Sequence, residues 1–240
     1  MKCDHGLRRQ AIVETLLGDV IRGRLAPGQH LVTQALADRF GVSHTPVREA
    51  LIALSGMGVL DVSPNRGAIV RRFTAAEVRE ICQVRRALEC EAVRSACGRI
   101  DPDRLAALRD DLGAMVGVQS ADRPRFVARA RDLDSRLHDL IAGSCGNAFL
   151  AEELGRLTLL FRAFRDAGWA RDQSRNDYRR LELEAHEHLA IVDALLRGDR
   201  GGAVRAMSRH IRAGITYWSR ALPQSSSSTN HQRSSRVASD

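Results

Sequence analysis

Apolar side chains recur at helical spacing along nearly the whole chain, and one short stretch, residues 59–70, breaks that rhythm. Before the break, Ile12, Val13, Leu16, Leu17, Val20 and Ile21 form one stripe within residues 7–23, the mark of an amphipathic helix. Pro27-Gly28 interrupts it. A short helix fits Thr33–Phe40, with Thr33 as N-cap and Gly41 as stop. A third fits Ser43–Met57, capped by Ser43, with Pro46 in its first turn. Then Val59-Leu60-Asp61-Val62, the turn Pro64-Asn65-Arg66-Gly67 and Ala68-Ile69-Val70 predict a hairpin. After a linker at 72–75, helix follows helix, at about 75–98, 101–117, 124–143, 147–167, 174–197 and 199–220. The expected fold class is mainly α: three helices with a two-stranded wing, then an all-α antiparallel bundle of about six helices.

Residues 1–74 and 75–222 are the expected domains, and the Ser-rich segment 223–240 lacks periodic apolar residues and reads as a disordered tail. No apolar run approaches the length of a membrane helix, and the first residues lack the apolar core of a secretory signal. The expected compartment is cytoplasmic, with no membrane partner. Cys3, Cys82, Cys90, Cys97 and Cys145 are odd in number and form no CxxC pair, which predicts reduced thiols rather than a disulfide framework. The formal net charge is +8. It fits a polyanionic partner without requiring one. Residues 1–74 hold ten basic and six acidic residues, the most basic third per residue.

Three short helices, the last two joined by a tight turn, followed by a wing make a winged helix-turn-helix pattern. The segment LADRFGVSHTPVREALIALSGMGVLDVSPNRGAIV carries more. With its Gly-Val-Ser-x-Thr-Pro-Val-Arg-Glu-Ala-Leu stretch it resembles the GntR family of bacterial transcription regulators, over residues 10–72. In such a reader Ser43, His44, Thr45 and Arg48 occupy the end of the recognition helix that enters the major groove. Arg48 suits a bidentate contact to guanine, and the alternative is an ion pair with Glu49 or Asp38. Asn65, Arg66 and Gly67 form the wing tip, suited to minor groove or backbone. The resemblance departs at His44, where relatives commonly carry Arg. Arg39 is expected to be solvated or to face phosphate.

Asp134 and His138 stand four apart, on one helical face about 6 Å apart along the axis. His188 and His210 fall on two later helices. Groups spaced in this way can converge in a bundle to hold a metal, and imidazole with carboxylate suits zinc first, then nickel, manganese or iron. His186 should point away. The Asp-x3-His pair, Cys145-Gly146-Asn147, Glu187-His188-x2-Ile191-x-Asp193-Ala194, Gly198-Asp199 and His210 together resemble the FCD domain, the effector-binding half of the FadR subfamily of GntR regulators. The stretch Arg85-x2-Leu88-Glu89 fits as well, and the resemblance covers about residues 76–215. It implies that Asp134, His138, His188 and His210 are metal ligands and that Arg85 and Asn147 bind the effector. Read alone, Arg85 also suits an ion pair with Glu89, and Asn147 a helix N-cap.

The expected function is a ligand-responsive regulator, a repressor, that binds a pseudo-palindromic operator in double-stranded DNA as a homodimer. A small carboxylate at the metal is its expected effector. Two other readings use the same residues. One is a DNA-binding regulator that senses the metal itself or carries it as a structural pin. The other is a metal-dependent hydrolase, although no general base stands in a motif nearby and a DNA reader serves a hydrolase poorly. The first reading predicts no enzyme.

Overall fold

The structure is a computed structural model that describes residues 2–21, 23–63, 67–117, 122–171 and 178–220. Asn65, Arg66 and the Ser-rich tail lie outside the described residues. Among those described, the order is α1 (Lys2–Ile21), β1 (His30–Leu31), α2 (Thr33–Phe40), α3 (His44–Gly56), β2 (Leu60–Ser63), β3 (Gly67–Val70), then α4 (Ala75–Ala96), α5 (Pro102–Gly113), α6 (Arg123–Ser144), α7 (Ala148–Arg171), α8 (Tyr178–Leu196) and α9 (Arg200–Arg220). The mainly helical expectation holds, with all three N-terminal and all six later helices present.

The expected hairpin forms as β2 and β3, and β1 adds an unforeseen third strand, giving an antiparallel sheet in the order β1-β3-β2. Gly28, at φ 84°, turns the chain so that His30 and Leu31 run beside Ile69 and Ala68. Its N–H donates to the Val70 carbonyl at 2.7 Å, and the Val70 N–H returns to Gln29 at 2.9 Å. Gly67 is required where it stands. Its φ is 84°, and a β-carbon there would lie 2.2 Å from the Leu31 carbonyl oxygen.

Two expected caps are also corrected. The N-cap of α2 is Val32, one residue before Thr33, because β1 hands the chain over in extended geometry with ψ 124°. Ser43 does hold the N-cap position of α3, yet its side chain makes no cap hydrogen bond. At the other end of α2, Gly41 takes φ 62° and closes the helix as expected.

The first core packs Ile12, Val13, Leu16 and Val20 of α1 against Val47, Ala50, Leu51 and Leu54 of α3, with Leu31, Leu60 and Val70 from the sheet. It has one distant member, Leu160 of α7. Leu160 sits against Gly58, where an added β-carbon would meet its methyl group at 3.3 Å. Phe73 packs against this core at the edge of the junction. Thr74 then opens α4 with a reciprocal capping box to Glu77.

The larger core lies among α4–α9. Leu108, Leu112, Leu133, Leu137, Ile141, Leu154, Ile191 and Met207 fill it. Asp101 and Asp122 cap α5 and α6, each followed by Pro in the first turn. Cys82, Cys90, Cys97 and Cys145 are free thiols, as expected. No described helix is long and apolar enough to cross a membrane.

Candidate functional site

Two sites emerge. The first is the exposed start of α3. Ser43, His44, Thr45 and Arg48 are all exposed there, while Pro46, Val47, Ala50 and Leu51 turn inward to the core. Apolar burial on one face thus leaves the polar edge outward. Arg48 forms no ion pair with Glu49 or Asp38, so its guanidinium stands available. His44 is engaged: its Nε2 lies 2.6 Å from Gln34 Oε1 and ties α3 to α2. Arg39 is exposed, as expected, and makes an ion pair as well. It pairs at 2.7 Å with Asp19, a carboxylate only 2% exposed that Arg24 also engages. Burial raises the Asp19 carboxyl, but the hydrogen bonds and charges of Arg39 and Arg24 outweigh it and lower it. Arg39 therefore locks α2 onto α1.

The second site is buried among α4, α6, α7, α8 and α9. Asp134, His138, His188 and His210 converge there, and one ligand atom of each lies within 4.8 Å of all the others. His188 Nε2 faces His210 Nε2 at 3.3 Å. Asp134 Oδ1 lies 3.6 Å from His138 Nε2 and 3.6 Å from His188 Nε2. His186 is exposed on the far side of α8, as its spacing predicts.

The surroundings set the protons. His138 Nδ1 lies 2.8 Å from Glu89 Oε1. His210 Nδ1 lies 2.9 Å from Glu187 Oε2, and Glu187 is held in turn by Arg180 at 2.7 and 3.0 Å. On His138 and His210 a carboxylate at Nδ1 fixes the ring proton outward and turns Nε2 toward the cluster. Bare lone pairs beside a carboxylate repel one another, and a cation at their centre relieves it. The donor set therefore fits a divalent metal: three imidazoles and one carboxylate, with outer partners on His138, His210 and Asp134. Glu187→Gln is expected to weaken metal binding about 10- to 100-fold, read by competition with a chromogenic chelator.

Burial lowers the His188 imidazole well below its usual range, His210 adding to this and Asp134 opposing it. Burial also lowers His210, against its hydrogen bond to Glu187. Both rings are held neutral, the form that ligates a metal. The unfolded chain, with His near 6.5, takes up these protons first on acidification. The metal-free fold is therefore expected to lose stability as pH falls below about 6.5. Glu184, raised to about 7 by burial, works in the opposite sense between about 4.5 and 7 because the fold holds its proton longer. Melting curves from pH 8 to 5.5 read the balance, and Glu184→Gln isolates the histidine slope.

Arg85 makes the ion pair that its spacing allows, and it stands beside the cluster. Its Nε donates to Glu89 at 3.1 Å, and its Nη2 lies 3.3 Å from His138 Nε2, with the guanidinium over Phe161. Asn147 does not join the cluster. It is exposed and caps α7, accepting the Leu150 N–H on Oδ1 at 3.1 Å. Three contributors escape a spacing argument: Glu89, Glu187 and Arg165, whose Nη1 bonds Asp134 Oδ2 at 2.9 Å. Burial raises the Asp134 carboxyl, but neighbouring positive charge, that of Arg165 foremost, holds it well below the usual carboxylate range.

A winged helix-turn-helix with an exposed recognition edge, joined to a helical body holding a buried His3Asp cluster, is the architecture of a DNA-binding regulator with a second, helical domain. The comparisons agree. Residues 8–70 match the family model "Bacterial regulatory proteins, gntR family", and residues 80–213 match the FCD domain. The chain belongs to the GntR family and carries an FCD domain, the combination of FadR-like regulators. It is 28% identical over 206 residues to the HTH-type transcriptional repressor RspR of Escherichia coli, covering 85% of each chain. It is 31% identical over 166 residues to the Nta operon transcriptional regulator of Aminobacter aminovorans, covering 69% of this chain and 74% of that one. The solved structure of E. coli McbR superposes with a TM-score of 0.72 at 23% identity, covering 89% of this chain and 97% of that one. The protein is a DNA-binding transcriptional regulator.

Proposed function

We propose that this regulator is a metal-loaded, carboxylate-responsive repressor that binds a pseudo-palindromic operator as a homodimer. Residues 1–74 read DNA and residues 75–222 sense. Ser43, His44, Thr45 and Arg48 enter the major groove, and Asn65, Arg66 and Gly67 contact the neighbouring groove or backbone. Two copies of one reader match two half-sites. Asp134, His138, His188 and His210 hold the metal, zinc by first preference and nickel, manganese or iron otherwise. A small carboxylate completes its coordination and pairs with Arg85. The repressor sign follows RspR, a transcriptional repressor.

The observation that carries this reading is the position of Arg85. A buried guanidinium, 2% exposed, stands against a metal-ligating imidazole, where an anion would meet both charges at once. The hydrolase alternative fares less well, because the relatives named above are transcriptional regulators.

A thermal-shift screen of small mono-, di- and tricarboxylates tests it, on metal-loaded protein beside His138→Ala/His188→Ala. At 100 times its dissociation constant a ligand adds about 2.7 kcal/mol, a rise of several degrees at roughly 2–4 °C per kcal/mol. An acid that stabilises only the metal-loaded wild type, and releases it from operator DNA, bears the reading out. Stabilisation by metal alone, with every acid silent, overturns it in favour of a metal sensor or pin.

A further inference from the structure

The Gln34 side chain sits between two neighbours, and together they fix which nitrogen of His44 carries a proton. Gln34 Nε2 donates to Asp38 Oδ1 at 2.8 Å, one turn along α2. Gln34 Oε1 lies 2.6 Å from His44 Nε2, at the start of α3. A carboxylate only accepts, so Asp38 takes the amide nitrogen and the amide oxygen is left to His44. That oxygen also only accepts, so His44 Nε2 is the donor and bears the proton. In a neutral imidazole the other nitrogen is then bare. Nδ1 therefore presents a lone pair, and no described residue bonds to it.

Gln34, Asp38 and His44 are all exposed, and His44 shares its edge with Ser43, Thr45 and Arg48. A lone acceptor on such an edge is selective, because the bases differ in what they show in the major groove. Guanine shows O6 and N7, and thymine shows O4; these are acceptors and repel a lone pair. Adenine shows its N6 amino group beside the N7 acceptor, a pattern that suits an amide. Cytosine shows the N4 amino group with no acceptor next to it.

We infer that His44 reads a cytosine in each half-site, accepting an N4 hydrogen on Nδ1, and that Gln34 and Asp38 are the positioning residues that hold its ring in the accepting form. The inference rests on the placement of the α3 edge in the major groove proposed above, and it names the base met there. The edge then carries two complementary readers. Arg48 only donates and suits guanine, while His44 accepts and suits cytosine.

The test is selection of binding sites from a random duplex library by the full-length protein, wild type and variants, followed by affinity measurements at pH 8. One position in each half-site is expected to be cytosine for wild type and open to any base for His44→Ala, with the other positions unchanged. At that position the cytosine is replaced by pyrimidin-2-one, which lacks the N4 amino group. Wild type should lose about 2- to 12-fold in affinity per half-site, the range of one net hydrogen bond, relative to His44→Ala on the same two duplexes. Gln34→Leu frees the ring to present a donor, so guanine should become tolerated at that position and nowhere else. Another base selected there, an equal effect of pyrimidin-2-one on wild type and His44→Ala, or full rejection of guanine by Gln34→Leu overturns the inference alone. So does a loss in His44→Ala that is even across all sequences, which would make His44 a phosphate contact. If neither His44→Ala nor Arg48→Ala alters any selected position, the groove placement of α3 falls together with the inference.

Discussion

Asp134→Ala is expected to lower the melting temperature of the protein by roughly 6–20 °C and to abolish tight metal binding. Arg165 and Asp134 are 6% and 7% exposed and bond at 2.9 Å. Removing one member of such a pair strands charge in the interior, at a cost of about 3–5 kcal/mol. At ~2–4 °C per kcal/mol for a chain of this size, that gives the range stated. The metal term adds to it, because Asp134 is the one carboxylate in the four-ligand cluster. Asp134→Asn keeps the shape and loses the charge, so it should fall between. Differential scanning with metal analysis of the same samples decides the matter. An unchanged melting temperature with full metal content would show that the cluster is neither a stabilising nor a ligating unit.

Arg48→Ala is expected to weaken specific operator binding by about 1–3 kcal/mol per half-site, roughly 5- to 150-fold for each. The side chain is exposed on the reading edge and free of the ion pairs its neighbours offered. A bidentate base contact is lost with the guanidinium, and Arg48→Lys cannot rebuild the fork. Binding to random DNA, and the salt dependence of specific binding, should change little. Competition between operator and random DNA separates the cases. Equal loss on both sequences would make Arg48 a phosphate contact.

The buried Asp/His cluster was legible where its residues share a helix or a short motif. Asp134 and His138 announce themselves by i, i+4 spacing, and the motif around Glu187-His188 marks α8. Its outer layer was not legible, for a geometric reason. Glu187 adjoins His188 in sequence yet serves His210 across the bundle, since successive helical residues point about 100° apart. Arg165 meets Asp134 from 31 positions away on another helix, which no periodicity encodes. Arg85 and Glu89 were readable as a pair, but not as a pair resting on His138. In the fold, β1 was missed because two residues cannot show alternation; only the pairing of His30 with Ile69 makes it a strand. The Asn147 cap followed from its place before α7, and its side chain is spent there.

Leu160 makes the reader a borrower. Thr158, Phe161 and Arg165 of α7 lie on the side of the buried Asp/His cluster, while Leu160, 4% exposed, completes the core built by α1, α3 and the sheet. A fragment ending at residue 74 lacks that side chain and leaves a gap beside Gly58 and its neighbours. By the measure of buried Leu→Ala changes, the loss is about 2–5 kcal/mol, a large share of what a small domain has to spare. The DNA reader is therefore not a transplantable cassette. A chimera that grafts residues 1–74 onto another helical body should melt early unless the new body presents an apolar knob at the same spot, and urea titration of such a fusion with and without that knob would measure the dependence.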